Sequence, residues 1–139
     1  MENRKVIVGY LHYGQVIFRL SQLLSERLDE IRLAILKGEY HSLETLNDAI
    51  LSLSYQMAEA DTKRFSLAKH LGCTERQYAK VIQRRLKGEA LKRVTEIDSK
   101  IECSVHLCKH KLARQGRLMV MQHDAMEEAM GAQQLKINV

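Results

Sequence analysis

Leucine and isoleucine recur every three or four residues along most of this chain, and no long stretch alternates apolar with polar positions. Val16, Leu20, Leu24, Leu28, Ile31 and Ile35 fall on one side of a 3.6-residue spiral, so the spacing predicts a first helix over 13–37. Glycine accepts the left-handed conformation of a helix end, and Gly38 is the natural stop. Ser42 is placed to cap a second helix, with Glu44 in its first turn favoured by the helix dipole. Leu43, Leu46, Ile50, Leu53, Met57, Ala60, Leu67 and Leu71 carry the stripe of that helix. Only a short connection separates the two, which are therefore expected to pair as an antiparallel hairpin.

Gly72 closes the second helix. Thr74 with Gln77 resembles a capping box, which predicts a third helix over 74–86. Gly88 then weakens or breaks the helix. Beyond it, 89–130 reads as one long helix whose stripe is Val94, Ile97, Ile101, Val105, Cys108, Leu112, Met119, Met126 and Met130. The last stretch, 131–139, has no helical pattern and is expected to be a mobile tail. Residues 5–8 form a β-prone run too short to build a sheet. The expected fold is all-α: an antiparallel helical hairpin or bundle closed by a long C-terminal helix, in a single domain over 1–130.

Composition narrows the class. The 139 residues include no proline and no tryptophan, so nothing forces a kink inside a helix. Lys and Arg number 22 against 17 Asp and Glu, for a net charge of +5. That mixed balance favours a solvated surface over a strong nucleic-acid binder. The apolar runs fall well short of the roughly 18 residues that span a bilayer, and no membrane insertion is expected. The opening MENRKVIVGYLHYG is too interrupted for a signal peptide, and a cytoplasmic location is expected. Cys73, Cys103 and Cys108 have no disulfide-framework spacing and read as reduced thiols.

Catalytic patterns are sparse. The sequence has no GxGxxG, GxxxxGK[ST] or HExxH. Asp29 with Glu30, and Glu127 with Glu128, are adjacent and point to different sides of their helices, so neither pair can act as an acid–base couple. His12, His41, His70 and His123 are scattered. The chain is expected not to be an enzyme and to use no cofactor. Cys103, His106 and His110 share one helix face at three- and four-residue spacing, an arrangement that can chelate a divalent cation. Ligands from a single helix leave such a site incomplete, so a polar outer face is the simpler reading and no metal is expected.

Two readings of 62–85 stay open. In one, the segment is a helix-turn-helix: Leu71 and Gly72 make the turn, Tyr78 and Val81 face the first helix, and Arg76, Gln77, Lys80, Arg84 and Arg85 point toward DNA. In the other, Leu-Gly-x-Thr is an ordinary helix end followed by a helix start, and the arginines solvate a surface.

The order of elements resembles the FlgN-type flagellar export chaperones over most of the chain. The resemblance rests on the leucine-rich first helix, the Lys37-Gly38-Glu39-Tyr40 loop, and a second helix ending in a charged stretch with Asp61, Arg64 and Leu71-Gly72. It continues in Lys111 to Leu118, followed by Met119, Val120 and Met121, and in the closing Lys136-Ile137-Asn138-Val139. Where the family carries Asn-x-x-Asn, this chain has Arg114, Gln115 and their neighbours. The resemblance implies a cytoplasmic protein that binds the C-terminal helices of hook–filament junction proteins and delivers them to the type III export apparatus. Methionine, flexible and polarizable, suits a groove for such helices. Arg117, Leu118, Met121, Met126 and Met130 are the expected partner-binding residues. Met119, Met126 and Met130 continue the core stripe, whereas Leu118 and Met121 sit off it and are better placed for a client or a second copy. A helical homodimer that scaffolds other proteins is a further reading of the same pattern.

Overall fold

The computed structural model describes the backbone of residues 2–137 and the side-chain surroundings of residues 3–117. Among the described residues, four α-helices follow one another: α1 Glu2–Lys37, α2 Leu43–His70, α3 Tyr78–Arg85 and α4 Gly88–Ile137, with a single 3₁₀ turn, Tyr40–Ser42, ahead of α2. No strand occurs among the described residues, and the fold is an all-α bundle. No described helix is long and apolar enough to cross a membrane.

The chain turns at Gly38, Gly72 and Gly88, which hold φ at 72°, 84° and 65°. At Gly38, the Glu39 amide donates to the Ala34 carbonyl at 2.9 Å and the Gly38 amide to that of Ile35 at 3.2 Å. The same double closure recurs at Gly72, where Cys73 reaches Ala68 at 3.0 Å. These paired bonds satisfy the orphan carbonyls of a helix end through one left-handed residue, the conformation glycine adopts without strain.

Several boundaries differ from the sequence-based expectation. Helix α1 begins at Glu2 rather than near residue 13 and absorbs the β-prone run 5–8. Tertiary packing outweighs that local preference: Leu11 packs on the buried cluster around Tyr10, and Gly9 lies against Leu67 of α2. Ser42 does not cap α2; its hydroxyl donates to the Glu39 carbonyl at 3.0 Å and closes the 3₁₀ turn. The Thr74–Gln77 capping box does not form, and α3 starts at Tyr78 with no side-chain cap. Helix α4 continues through Ile137, past the Gly131 at which the apolar pattern stops. The segment 131–139 therefore starts as helix, and Asn138 and Val139 lie outside the described residues.

The buried line of α1 is Tyr10, Gly14, Ile17, Ser21, Leu24, Leu28, Ile31 and Ile35. These positions step alternately by four and three, the 3.5-residue period of helices packed at a shallow angle. Val16 and Leu20, expected in the stripe, are half-buried one position to the side. On α4 the corresponding line is Val94, Ile97, Ile101, Ser104, Cys108, Lys111 and Gln115, and the expected Leu112 is exposed. Gly14, Ser21 and Ser104 occupy seam positions that a search for large apolar residues passes over.

Helix α1 is the central element. It runs antiparallel to α2, with Gly9 against Leu67 and Gly14 against Arg64, and with Leu24 and Leu28 near Ile50, Leu53 and Met57. It runs parallel to α4: the Ser21 and Ser104 hydroxyls are hydrogen-bonded at 2.6 Å, and Lys111 Nζ reaches Ser25 Oγ at 2.7 Å and Asp29 Oδ2 at 2.8 Å. No Cα of α2 comes within 8 Å of one in α4 among the described residues.

One end of the bundle is closed by a polar knot. Arg64 of α2 is buried, with 3% of its side chain exposed, and its Nη2 lies 2.8 Å from Asp98 Oδ1 of α4. Its Nε donates to the Tyr10 carbonyl of α1 at 3.1 Å, and the guanidinium sits 3.9 Å from the centre of the Tyr10 ring. Asp98 Oδ2 accepts from Gln83 of α3 at 2.9 Å. A Cβ on Gly14 would stand 2.8 Å from Arg64 Nη2, so the glycine makes room for the guanidinium. Tyr78 of α3 stacks on Phe65, meets Tyr10 edge-on with ring centres 6.0 Å apart, and donates its hydroxyl to Asp61. All four helices thus meet around one buried cation. Burial pushes the phenols of Tyr10 and Tyr78 well above their ordinary range, and the bond to Asp61 adds to the effect at Tyr78.

Candidate functional site

Away from that knot the bundle is more open. The α2 stripe residues Leu43, Leu46, Ile50, Leu53 and Met57 are all half-buried, whereas Ala60, Arg64 and Ala68 farther along the helix are buried. Between α1 and α4, on the side away from α2, runs a groove of about 560 Å³ lined by Phe18, Gln22 and Ser25 from α1 and by Cys103, Ser104 and Leu107 from α4, with Glu26 and Lys100 among its other lining residues.

The groove exists because the α1–α4 seam is made of small and polar residues. Ser21 Oγ donates to the Phe18 carbonyl and pairs with Ser104. The Cys108 thiol donates to the Ser21 carbonyl at 3.2 Å, and its burial raises the thiol pKa, which keeps it protonated and unreactive. Short side chains let the helix backbones approach, and the longer flanking residues become the walls.

Helical steps carry the α1 wall onward. Leu33 lies seven residues beyond Glu26 and Leu36 eleven beyond Ser25, close to whole numbers of turns, and they are 53% and 56% exposed. Leu107 on the α4 wall is 46% exposed. Three large apolar side chains therefore stand open to water along one side of the bundle. Off-stripe apolar residues were the signal in the sequence that could have found Leu33, Leu36 and Leu107. Phe18, Gln22 and Ser25 gave no such signal, because a groove between two helices shows only when both are in place.

The expected partner-binding residues divide at the edge of the described side chains. Arg117 is exposed on α4. Leu118, Met121, Met126 and Met130 lie outside the described side chains. By sequence spacing, position 118 is eleven residues from Leu107 and position 121 is eighteen from Cys103, both close to whole turns of α4.

The residues of the helix-turn-helix reading lie on the end of α2, the connection after it and α3. Tyr78 is buried against the end of α2 as expected, but the second buried residue of α3 is Ile82, with Val81 half-buried beside it. The connection covers the seven residues 71–77, longer than the three or four of that motif, and α2 is 28 residues long. Arg76, Gln77, Lys80 and Arg84 are exposed. Arg85 is not available in the expected way: its Nη1 donates to the Leu71 carbonyl at 2.9 Å and fastens α3 to the end of α2. Cys103, His106 and His110 are exposed, Cys103 in the wall of the α1–α4 groove, and no group of three or more His, Cys, Asp or Glu able to hold a metal occurs among the described residues.

Compared with protein-family models, with curated proteins and with solved structures, the chain matches none.

Proposed function

We propose that the chain is a binding protein whose α1–α4 groove takes an amphipathic helix from a partner, in the manner of the FlgN-type export chaperones it resembles in sequence. The observation that carries this reading is the groove itself, continued along one side of the bundle by exposed Leu33, Leu36 and Leu107. Apolar side chains left open beside a groove mark a place where something binds, and a groove between two helices suits the apolar ridge of a third. Gln22, Ser25 and Ser104 along the groove offer hydrogen-bonding groups to polar positions on the incoming helix. Affinity comes from apolar burial, worth roughly 25 cal/mol per Å² before ordering costs. In a flagellated cell the client is the C-terminal helix of a hook–filament junction protein, which would otherwise be an aggregation hazard before export. Covering that helix requires no covalent step.

The test is co-expression with hook–filament junction proteins, followed by affinity capture. Leu107→Asp, combined with Leu118→Asp or Met121→Asp, is expected to weaken capture at least about tenfold, equivalent to about 1.4 kcal/mol. Tyr55→Asp, on α2 and 75% exposed, is the control expected to change nothing. Normal capture by the groove variants, or equal loss in the control, would show that the groove is misplaced. Failure of the wild-type chain to capture any junction protein would remove the flagellar assignment.

A further inference from the structure

We infer that the α3 end of the bundle is a second interaction surface, which binds duplex nucleic acid through its phosphates. This surface is separate from the α1–α4 groove and does not depend on the protein-binding reading. The charge of the chain is segregated. Residues 62–93 hold ten Lys and Arg against two acids, Glu75 and Glu89, whereas the rest of the chain has an excess of acids over bases. The fold gathers these cations at one end: Lys69 closes α2, Arg76 lies in the connection, Lys80 and Arg84 are on α3, and Lys87 and Lys92 flank the start of α4.

Local geometry turns them outward. Tyr78 and Ile82, one turn apart, fix the inner face of α3 in the core. Lys80 and Arg84, also one turn apart, are left on the exposed face, and Arg76 in the preceding connection is exposed as well. Arg85 holds the helix in place through the Leu71 carbonyl. Arg76, Lys80, Arg84 and Lys87 make no ion pair among the described residues, while Glu89 is within ion-pair distance of Arg93. The buried cation of this region, Arg64, is matched by Asp98. Unpaired cations held at fixed spacing on several elements suit a partner with regularly repeated negative charge, such as a phosphate backbone. The exposed face of α3 carries no aromatic ring on which unpaired bases could stack, so a duplex is favoured over a single strand.

The experiment is fluorescence anisotropy of the full chain with a labelled 20-base-pair duplex between 50 and 200 mM salt. Four phosphate contacts give a log–log salt slope of about −3.6, a loss of affinity of roughly a hundredfold across that range. Lys80→Gln with Arg84→Gln is expected to lower the slope by about two, with an unchanged melting temperature. Lys80→Glu with Arg84→Glu should abolish binding, and Lys109→Glu, exposed on α4 away from this end, should leave it intact. The inference is overturned if the duplex fails to bind at 50 mM salt, or if the double variants bind like the wild type. It is also overturned if polyglutamate or a single-stranded oligonucleotide binds as tightly as the duplex, which would make this a surface for acidic proteins or for unpaired strands.

Discussion

The two ends of this bundle are built from the same three long helices and end up with opposite character. Near Tyr10, Arg64, Tyr78 and Val94 the packing is closed: aromatic rings, a buried cation and its carboxylate tie all four helices together, and α3 lies across the end. Around Leu24, Leu28 and Cys108 only part of the apolar surface is covered. Ile50, Leu53 and Met57 remain half-buried, and Leu33, Leu36 and Leu107 face water. The lesson concerns how a small helical chain distributes its apolar surface. The short helix and the polar knot fix the arrangement at one end, and the other end is left with groove walls that a further helix can complete.

The sharpest way to break the comparison is to remove the buried cation. Arg64→Ala leaves Asp98 buried without its partner and is expected to cost about 3–5 kcal/mol, read from denaturant unfolding. A cost near zero would mean that the knot does not hold the closed end. Core truncations should divide the ends next. Ile82→Ala at the closed end is expected to cost about 2–5 kcal/mol, and Met57→Ala in the half-buried stripe well under half of that. Equal costs would erase the distinction.

The two tyrosines separate more finely. Tyr78→Phe loses the bond to Asp61 and should cost about 1 kcal/mol. Tyr10 Oη is buried with no hydrogen-bond partner among the described residues, so Tyr10→Phe is expected to be neutral or slightly stabilising. Both phenols keep their protons in the folded state to higher pH than in the unfolded chain. Their contribution is therefore complete below pH of about 10 and is lost as pH rises above it, by up to about 1.4 kcal/mol per pH unit for each tyrosine. A melting temperature that does not fall above pH 10, or that falls equally in the double Phe variant, would contradict the burial of these rings.

Much of the architecture could be read from the spacing of apolar residues. The hairpin, the stops at Gly38 and Gly72 and the long last helix all follow from period and glycine placement. The early start of α1 could not, because Val6, Ile7 and Val8 favour strand locally, and the packing of Gly9 and Leu11 on distant residues shows only in the folded chain. The seam was misjudged by one position at Val16 and Leu20 because its members Gly14 and Ser21 carry no apolar signal, and their value lies in letting helices approach. Arg64 and Asp98, 34 residues apart, gave no sign of being partners. The groove was legible only as off-stripe leucines, since its floor is made by two helices more than 80 residues apart in the chain.

Native-state hydrogen exchange on the free chain, repeated with a captured client helix, tests the contrast between the ends most directly. The expected result is that amides of 60–68 and of α3 exchange only through global unfolding, while those of 43–57 exchange through local opening at lower free energy. Client binding should then add protection to α1 around 18–36 and to α4 around 103–117. Uniform protection along α2, or client-induced protection confined to the α3 end, would contradict the account.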